Sequence, residues 1–382
     1  TEWGGVYRST NRGDYWQPVN TGLSDLNVCA LAISPQYSVD RTLFAGTYRG
    51  RLFKSTNAGD SWVEVPSPSS RPLNAIGLSP DYPDDPTILL GYLEDNIYLS
   101  RNGGQTWDHT LGFHWQWSVT EFVFSPAYSQ DETVWAVIMV GGIFRSIDGG
   151  VTWEDQTEEI PYTDFNSLAV SPNFASDRLL IAGTKRERLY RSTDGGDTWT
   201  VLQPADLAEK SINDLVMSPS YGFGNDRRLY AATGDGTYAS VNGGASWTRL
   251  SNGIPDLVDS LRVLAISPFF PQDGTLFTGS NGNGVYRTTT QAALWSPANR
   301  GLDNVFVETI AFSPNYAAER TLFAGTERSG PFRSLNGGES WTQVLSDVLG
   351  ARVPVVRFSP RYVQDHTVYA APLGRGLLRS TN

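Results

Sequence analysis

Apolar and polar positions along this chain alternate in short runs, and turn-forming residues cut every run off. Between Asn27 and Pro66 the runs are Val28 to Ser34, Thr42 to Thr47, Arg51 to Ser55 and Ser61 to Val65. Val, Phe, Tyr and Thr dominate them, while Pro, Gly, Asn and Asp punctuate them, which is strand and turn chemistry. No window sustains an i, i+3, i+4 apolar stripe, so the pattern predicts short strands and very little helix. The set of four runs returns about every 46 residues along the chain. Four-strand units at a fixed period of this length predict the blades of a β-propeller.

Two phrases keep time with that period. The first is Ser-x-Asp/Asn-x-Gly-x-Thr/Ser-Trp, at Ser55 to Trp62, Ser100 to Trp107, Ser146 to Trp153, Ser192 to Trp199, Ser240 to Trp247 and Ser334 to Trp341. A variant copy runs from Ser9 to Trp16, a worn one from Thr288 to Trp295, and a half-copy closes the chain at Ser380-Thr381-Asn382. The second phrase centres on Ser-Pro, at Ser34, Ser79, Ser125, Ser171, Ser218, Ser267, Ser313 and Ser359. Eight such phrases set the expected blade count at eight, with a seven-bladed ring carrying extra terminal strands as the alternative. The expected blades span 24–68, 71–111, 117–157, 163–203, 210–251, 259–299 and 303–346, with a closing blade from 352–382 plus 11–20, all in one domain, 1–382. One strand is then in surplus, because the runs at Gly4 to Thr10 and Gly374 to Thr381 compete for one slot.

The first phrase reads as a hairpin staple. An Asp or Asn side chain is expected to accept backbone N–H groups two residues on, which stabilises a tight turn, and the glycine tolerates positive φ. The indole that follows offers a large apolar face to bury between blades. Asn57, Asn102, Asp148, Asp194, Asn242 and Asn336 are the expected turn formers, and Trp62, Trp107, Trp153, Trp199, Trp247 and Trp341 the expected wedges. With Asn in four of these six places, a cation site built from the phrase's carboxylates is not expected.

The phrase resembles the Asp-box, or BNR repeat, found in propellers of sialidases, xyloglucan-hydrolysing glycosidases, sortilin-type receptors and photosystem II assembly factors. The resemblance implies the propeller fold over nearly the whole chain; these families share the blade and differ in what is placed on it.

Composition narrows the partners. A formal charge of −11 disfavours nucleic acid and anionic membranes. Cys29 is the single cysteine, so no intrachain disulfide is possible, and its apolar strand marks it as a packing residue. With no basic targeting start and no long apolar run, a mature secreted or cell-surface chain without membrane insertion is expected.

Individual function is expected where the repeats stop agreeing, on the face carrying the second-to-third and blade-to-blade loops. These loops include Tyr48-Arg49-Gly50-Arg51, Glu94-Asp95-Asn96, Lys185-Arg186-Glu187-Arg188 and Gly234-Asp235-Gly236. The longest aromatic departure is Phe113-His114-Trp115-Gln116-Trp117. Trp115 and Trp117, with His114 beside them, are candidates to stack on a sugar or anchor a protein, and Lys185, Arg186 and Arg188 resemble the arginine-rich patch by which the photosystem assembly factors bind their client. His114 has no second His or Cys near it, so neither a metal nor a cofactor is expected.

A sialidase implies an arginine cluster and a Phe/Tyr-Arg-Ile-Pro phrase, which is missing here. Arg8, Arg145, Arg191, Arg287, Arg333 and Arg379 recur just before the first phrase, and recurrence marks a structural ion pair or a packed stem, since a catalytic residue is needed once per site. A xyloglucanase implies two carboxylates across a cleft, and no insertion supplies a cleft wall. The expectation is a non-catalytic scaffold for a protein or glycan partner or for self-assembly, with a glycoside hydrolase as the alternative.

Overall fold

The computed structural model describes residues 6–8, 17–112, 118–158, 160, 164–184, 188–202, 207, 210–255, 260–302, 306–344, 352–373 and 378–379. The fold is an all-β propeller whose blades are eight antiparallel sheets, with six single-turn helices among the described residues. Two compact units divide the chain, Thr1–Phe165 with Ser359–Asn382, and Asn166–Phe358.

In the first unit, blade 1 is formed by Val28–Ile33, Leu43–Thr47, Leu52–Ser55 and Val63–Val65, in that order across the sheet. Blade 2 runs likewise from Leu73–Leu78 to Asp108–Leu111, and blade 3 from Ser118–Phe124 to Glu154–Asp155. The second unit holds blades 5, 6 and 7, which begin at Ile212–Met217, Leu261–Ile266 and Val307–Phe312, and nearly all of blade 4, which begins at Phe165–Val170. The last sheet has five strands, and those in the first unit run Gln17–Pro18, Tyr7–Arg8, Leu378–Arg379, Val368–Leu373. The two terminal runs therefore do not compete for one slot. Among the described residues each contributes two, and they pair side by side with Arg8 opposite Arg379.

Burial follows the position of a strand in its blade. Second strands such as Leu43–Thr47 and Leu276–Ser280 are buried at every residue, because neighbouring blades cover both faces. Val28–Ile33, a first strand, alternates buried and half-buried, and Val63–Val65, a fourth strand, lies in solvent. A Cβ at Gly46, Gly183 or Gly279 would stand 2.6 Å from Leu73, Ile212 or Val307, side chains of the next blade's first strand. Glycine in the second strand thus lets consecutive blades close on each other. Between them lies the core, for example Val19, Val28, Tyr37, Leu43, Phe53 and Trp62 in the first unit and Tyr230, Phe270, Leu276, Tyr286 and Trp295 in the second.

The Ser-Pro phrase folds into the single helical turn Tyr37–Asp40 and its counterparts. Ser34 Oγ donates to Asp40 Oδ2 at 2.6 Å, and Asp40 Oδ1 accepts the Thr42 N–H at 2.8 Å. Ser125 with Asp131, Ser267 with Asp273 and Ser359 with Asp365 repeat the bond. Arg41 then adopts a left-handed φ of 53°, and its carbonyl accepts the Ala58 N–H at 3.0 Å. Both repeated phrases therefore meet at one end of the blade, leaving the second-to-third and blade-to-blade loops at the other.

Within the octapeptide, Ser55 Oγ accepts the Gly59 N–H at 2.8 Å and Asn57 Oδ1 accepts the Ser61 N–H at 3.0 Å, four residues on and not the expected two, because the turn spans the glycine before the strand resumes. Asn57 Nδ2 donates to Ser61 Oγ at 2.9 Å, whereas in blade 3 Asp148 Oδ2 accepts from Thr152 Oγ1 at 2.7 Å. A hydroxyl serves either as acceptor or as donor, which is why Asn and Asp interchange here. Three of the six expected wedge tryptophans stitch blades together through the same bond, whereas Trp247 donates to the Gly244 carbonyl of its own turn. Trp62, Trp107 and Trp341 donate their indole N–H, at 2.7 Å, to Val19, Pro66 and Ala298 carbonyls at the end of the preceding blade.

The recurring arginines are structural too. Arg145 is buried and pairs with Glu154 at 3.6 Å, Arg287 pairs with Glu339 at 3.8 Å, and Arg8 pairs with Asp60.

Candidate functional site

At the loop end of blade 1 the structure opens a hollow of about 720 Å³, lined by Arg49, Arg51, Glu64, Ser67, Ser69 and Ser70 among others. One wall is the turn between the second and third strands. Thr47 holds both ends of it, donating its N–H to the Arg51 carbonyl at 2.9 Å and accepting the Arg51 N–H on its hydroxyl at 3.2 Å. The other wall is the connection to blade 2, Pro66-Ser67-Pro68-Ser69-Ser70-Arg71-Pro72. Gly50, at φ +76°, lets the two walls touch: a Cβ there would lie 2.5 Å from the Ser69 carbonyl oxygen and 2.7 Å from that of Arg71.

Hydrogen bonds fix the walls before any ligand arrives. Ser67 Oγ donates to the Gly50 carbonyl and lies 2.7 Å from the Tyr92 hydroxyl. Burial pushes the Tyr92 phenol well above its ordinary pKa, so it stays neutral and keeps its proton for hydrogen bonding. Ser69 Oγ donates to Asp95, and the Arg71 N–H donates to Ser69 Oγ at 3.1 Å. Arg51 Nη1 donates to Ser24 Oγ at 2.8 Å and meets Glu64 Oε2 at 3.3 Å; Ser24 donates to the same carboxylate oxygen at 3.0 Å. Tyr48, 57% exposed, and exposed Arg49 stand on the turn that forms the first wall.

The hollow joins two loops named from sequence, Tyr48-Arg49-Gly50-Arg51 and Glu94-Asp95-Asn96, through Ser69 to Asp95 and Arg71 to Glu94, the latter pair at 4.0 Å. Sequence reasoning missed the segment between them. Its signal was present, since no other blade-to-blade connection carries such a run of Pro and Ser. Trp115, Trp117, His114, Lys185 and Arg186 lie outside the described residues. Arg188 is described and occupies the place of Arg51 in its own blade: its N–H reaches Thr184 Oγ1 at 3.2 Å and its carbonyl accepts the Thr184 N–H at 3.0 Å.

In the second unit, Asp235 occupies the second-to-third loop of blade 5. Burial works to raise its pKa, but bonds from Lys210 at 2.8 Å and Thr233 at 2.8 Å outweigh it and hold the carboxyl below its ordinary value. That is the opposite of what a general acid needs. Among the described residues, no group of three or more His, Cys, Asp and Glu side chains is placed to hold a metal ion.

Uniform blades with one-off chemistry confined to the loop end define a class, the repeat β-propeller. Neither a family model nor a curated protein sequence matches the chain. Among solved structures it is similar to the computationally designed Ika8 protein, with TM-score 0.65 and 13% identity over 94% of this chain and 97% of that one. It is also similar to YCF48 bound to D1 peptide, with TM-score 0.54 and 21% identity over 78% of this chain and 90% of that one. A third similar structure is the GH74 xyloglucanase from Xanthomonas campestris, with TM-score 0.55 and 17% identity over all of this chain and 70% of that one. At these identities the likeness is one of fold, and the named neighbours include both an enzyme and a peptide-bound protein.

Proposed function

We propose that this chain is a non-catalytic propeller of the Asp-box type, working outside the cell or at its surface as a rigid scaffold, and that the blade 1 hollow binds a glycan. The observation that carries the reading is the hollow itself. Its walls are locked by Thr47, Ser67 and Ser69, while guanidinium, hydroxyl and carboxylate groups line it and an exposed tyrosine stands on its turn. Hydroxylated rings are held by that mixture of planar hydrogen-bonding groups and an aromatic face, in a site formed before the ligand arrives. The glycoside hydrolase reading draws support from the GH74 neighbour. Against it, Glu64, Glu94 and Asp95 around the hollow are each engaged by Arg51, Arg71 or Ser69.

A glycan array probed with the whole chain, with product release assayed on every positive, tests this. Saturable binding without turnover, weakened at least about tenfold in Tyr48→Ala and Arg49→Ala, is expected, since interface aromatic and arginine anchors carry about 1.4 kcal/mol or more each. Turnover would restore the hydrolase, and binding indifferent to both substitutions would remove the hollow from the site.

A further inference from the structure

Every blade with a fully described first strand carries the same irregularity at its loop end, an extra residue that shifts the register against the second strand. The extra residues are Cys29, Asn74, Thr120, Asn213, Arg262 and Glu308. A bulge re-aims its side chain, and here most of them reach sideways to the next first strand. Cys29 Sγ donates to the Leu73 carbonyl at 3.2 Å, Asn74 Nδ2 to Ser118 Oγ at 2.8 Å, and Asn213 Nδ2 to the Leu261 carbonyl at 2.7 Å. A neutral thiol or amide is therefore enough to tie one blade to the next.

Two consecutive blades depart from this economy. Arg262 Nη1 donates to Glu308 Oε1 at 2.5 Å, and Arg352 Nη2, from the strand Arg352–Phe358, donates to Glu308 Oε2 at 2.8 Å. The Glu308 side chain is 7% exposed, whereas those of Arg262 and Arg352 are 37% and 47% exposed. Within this trio, among the described residues, two guanidiniums face one carboxylate, a surplus of one positive charge. Each guanidinium has five N–H donors in a fixed fork, and among the described residues each gives one to Glu308. The remaining donors belong to two guanidiniums that share a single buried carboxylate and whose side chains are partly exposed.

We propose that Arg262 and Arg352 form a site for a single tetrahedral oxyanion, a sulfate or phosphate group, with Glu308 as the residue that positions both forks. Two guanidiniums bonded to the two oxygens of one carboxylate bring two sets of N–H donors to one place, and charge-assisted bonds to an oxyanion are the use that arginine serves best. The net charge of −11 repels polyanions, so the ligand is an isolated group and not a nucleic acid or a polysulfated chain. The proposal uses residues separate from the blade 1 hollow and stands or falls independently of it.

The test is calorimetric titration of the whole chain with sodium sulfate, sodium phosphate and sodium acetate, each against chloride at matched ionic strength. Saturable binding of sulfate or phosphate above chloride and acetate is expected, weakened at least tenfold in Arg352→Gln and in Arg262→Gln. Both replacements put a neutral amide at or beside a position where neutral side chains already serve, so unchanged melting confirms that each variant is folded. Sulfate preferred to phosphate, or the reverse, identifies the source of the group. Acetate binding as well as either, binding unaffected by both substitutions, or no heat above the chloride blank would each overturn the proposal.

Discussion

Replacing Gly253 with alanine isolates the contact on which the tryptophan stitch depends. Gly253 has φ +92°, and a Cβ built on it falls 2.0 Å from the Trp295 carbonyl oxygen. Contacts under 3.0 Å are not tolerated between a real Cβ and backbone, so one of the two segments must move by about 1 Å. That movement strains two bonds that join blade 6 to blade 5, Trp295 N–H to the Asn252 carbonyl at 2.7 Å and the indole N–H to the Leu250 carbonyl at 2.7 Å. The left-handed backbone costs about 1 kcal/mol once a Cβ is present, and losing two hydrogen bonds beside a buried indole adds about 2–4 kcal/mol. Gly253→Ala is therefore expected to destabilise by about 3–5 kcal/mol. Gly224→Ala is the control, because Gly224 also has positive φ, +58°, yet a Cβ there meets nothing within 4 Å. It is expected to lose only the backbone share, about 1 kcal/mol. Urea denaturation followed by circular dichroism and tryptophan fluorescence measures both. If the two variants differ by less than about 1 kcal/mol, the lock between this glycine and the tryptophan carbonyl is not what holds the blades, and the same reading of Gly22 against Trp62 and Gly301 against Trp341 fails with it.

Two further outcomes follow from groups whose ionisation the fold shifts. Burial raises Asp194, but hydrogen bonds from Thr198, Ser192 and backbone outweigh it and bring its pKa from 3.8 to about 2. A depressed carboxylate contributes stability above its unfolded value that is lost as pH falls from 3.8 through about 2. Asp194→Asn should flatten the melting profile in that window and cost roughly 1 kcal/mol or less at neutral pH, the shift being discounted for solvent screening; an unchanged acid limb refutes the assignment. Burial also pushes the Cys29 thiol to about 11. Native protein at pH 8 should then react with iodoacetamide far more slowly than urea-unfolded protein, and equal rates would show that the thiol is not held in its contact with the Leu73 carbonyl.

What was legible in the sequence was what the chain does locally. Ser55, Asn57, Gly59 and Ser61 bond to one another within one turn, so their spacing marked a turn staple, whereas the Ser-Pro phrase yielded a blade count and not the bonds among Ser34, Asp40 and Thr42. Repeats whose partner lies a blade away were harder to see. Asn20-Thr21-Gly22-Leu23, Ser251-Asn252-Gly253-Ile254 and Asn299-Arg300-Gly301-Leu302 form a third recurring phrase, overlooked because its purpose is to receive a tryptophan some forty residues further on. The surplus strand was misjudged for a related reason: periodicity counts runs, whereas pairing of Arg8 with Arg379 shows that one sheet accommodates both. The loop hollow was half legible. Tyr48 to Arg51 and Glu94 to Asn96 stood out as loops, but only the fold brings Ser69 against Asp95 and the Arg71 carbonyl over Gly50.

A repeat protein supplies its own controls, and they decide how each charged residue is to be read. Arg51 and Arg188 make the same pair of bonds to Thr47 and Thr184, so the backbone of this position is blade architecture whichever side chain stands there. Arg145 and Arg287 recur before the octapeptide and sit in ion pairs with Glu154 and Glu339. Subtracting what recurs leaves, among the described residues, two places that stand out for carrying more than a blade requires. One is the Pro66 to Pro72 connection, whose serines are committed to Gly50, Tyr92 and Asp95 and so shape a cavity that no repeat rule asks for. The other is the bulge row, where Cys29, Asn74 and Asn213 bridge blades without charge while Arg262, Glu308 and Arg352 bridge them with a buried carboxylate and two half-exposed guanidiniums. A buried ion pair is a poor source of stability compared with neutral groups of similar shape. The half-exposed guanidiniums give that position charged N–H donors that the neutral bridges lack, and the proposed oxyanion site uses them.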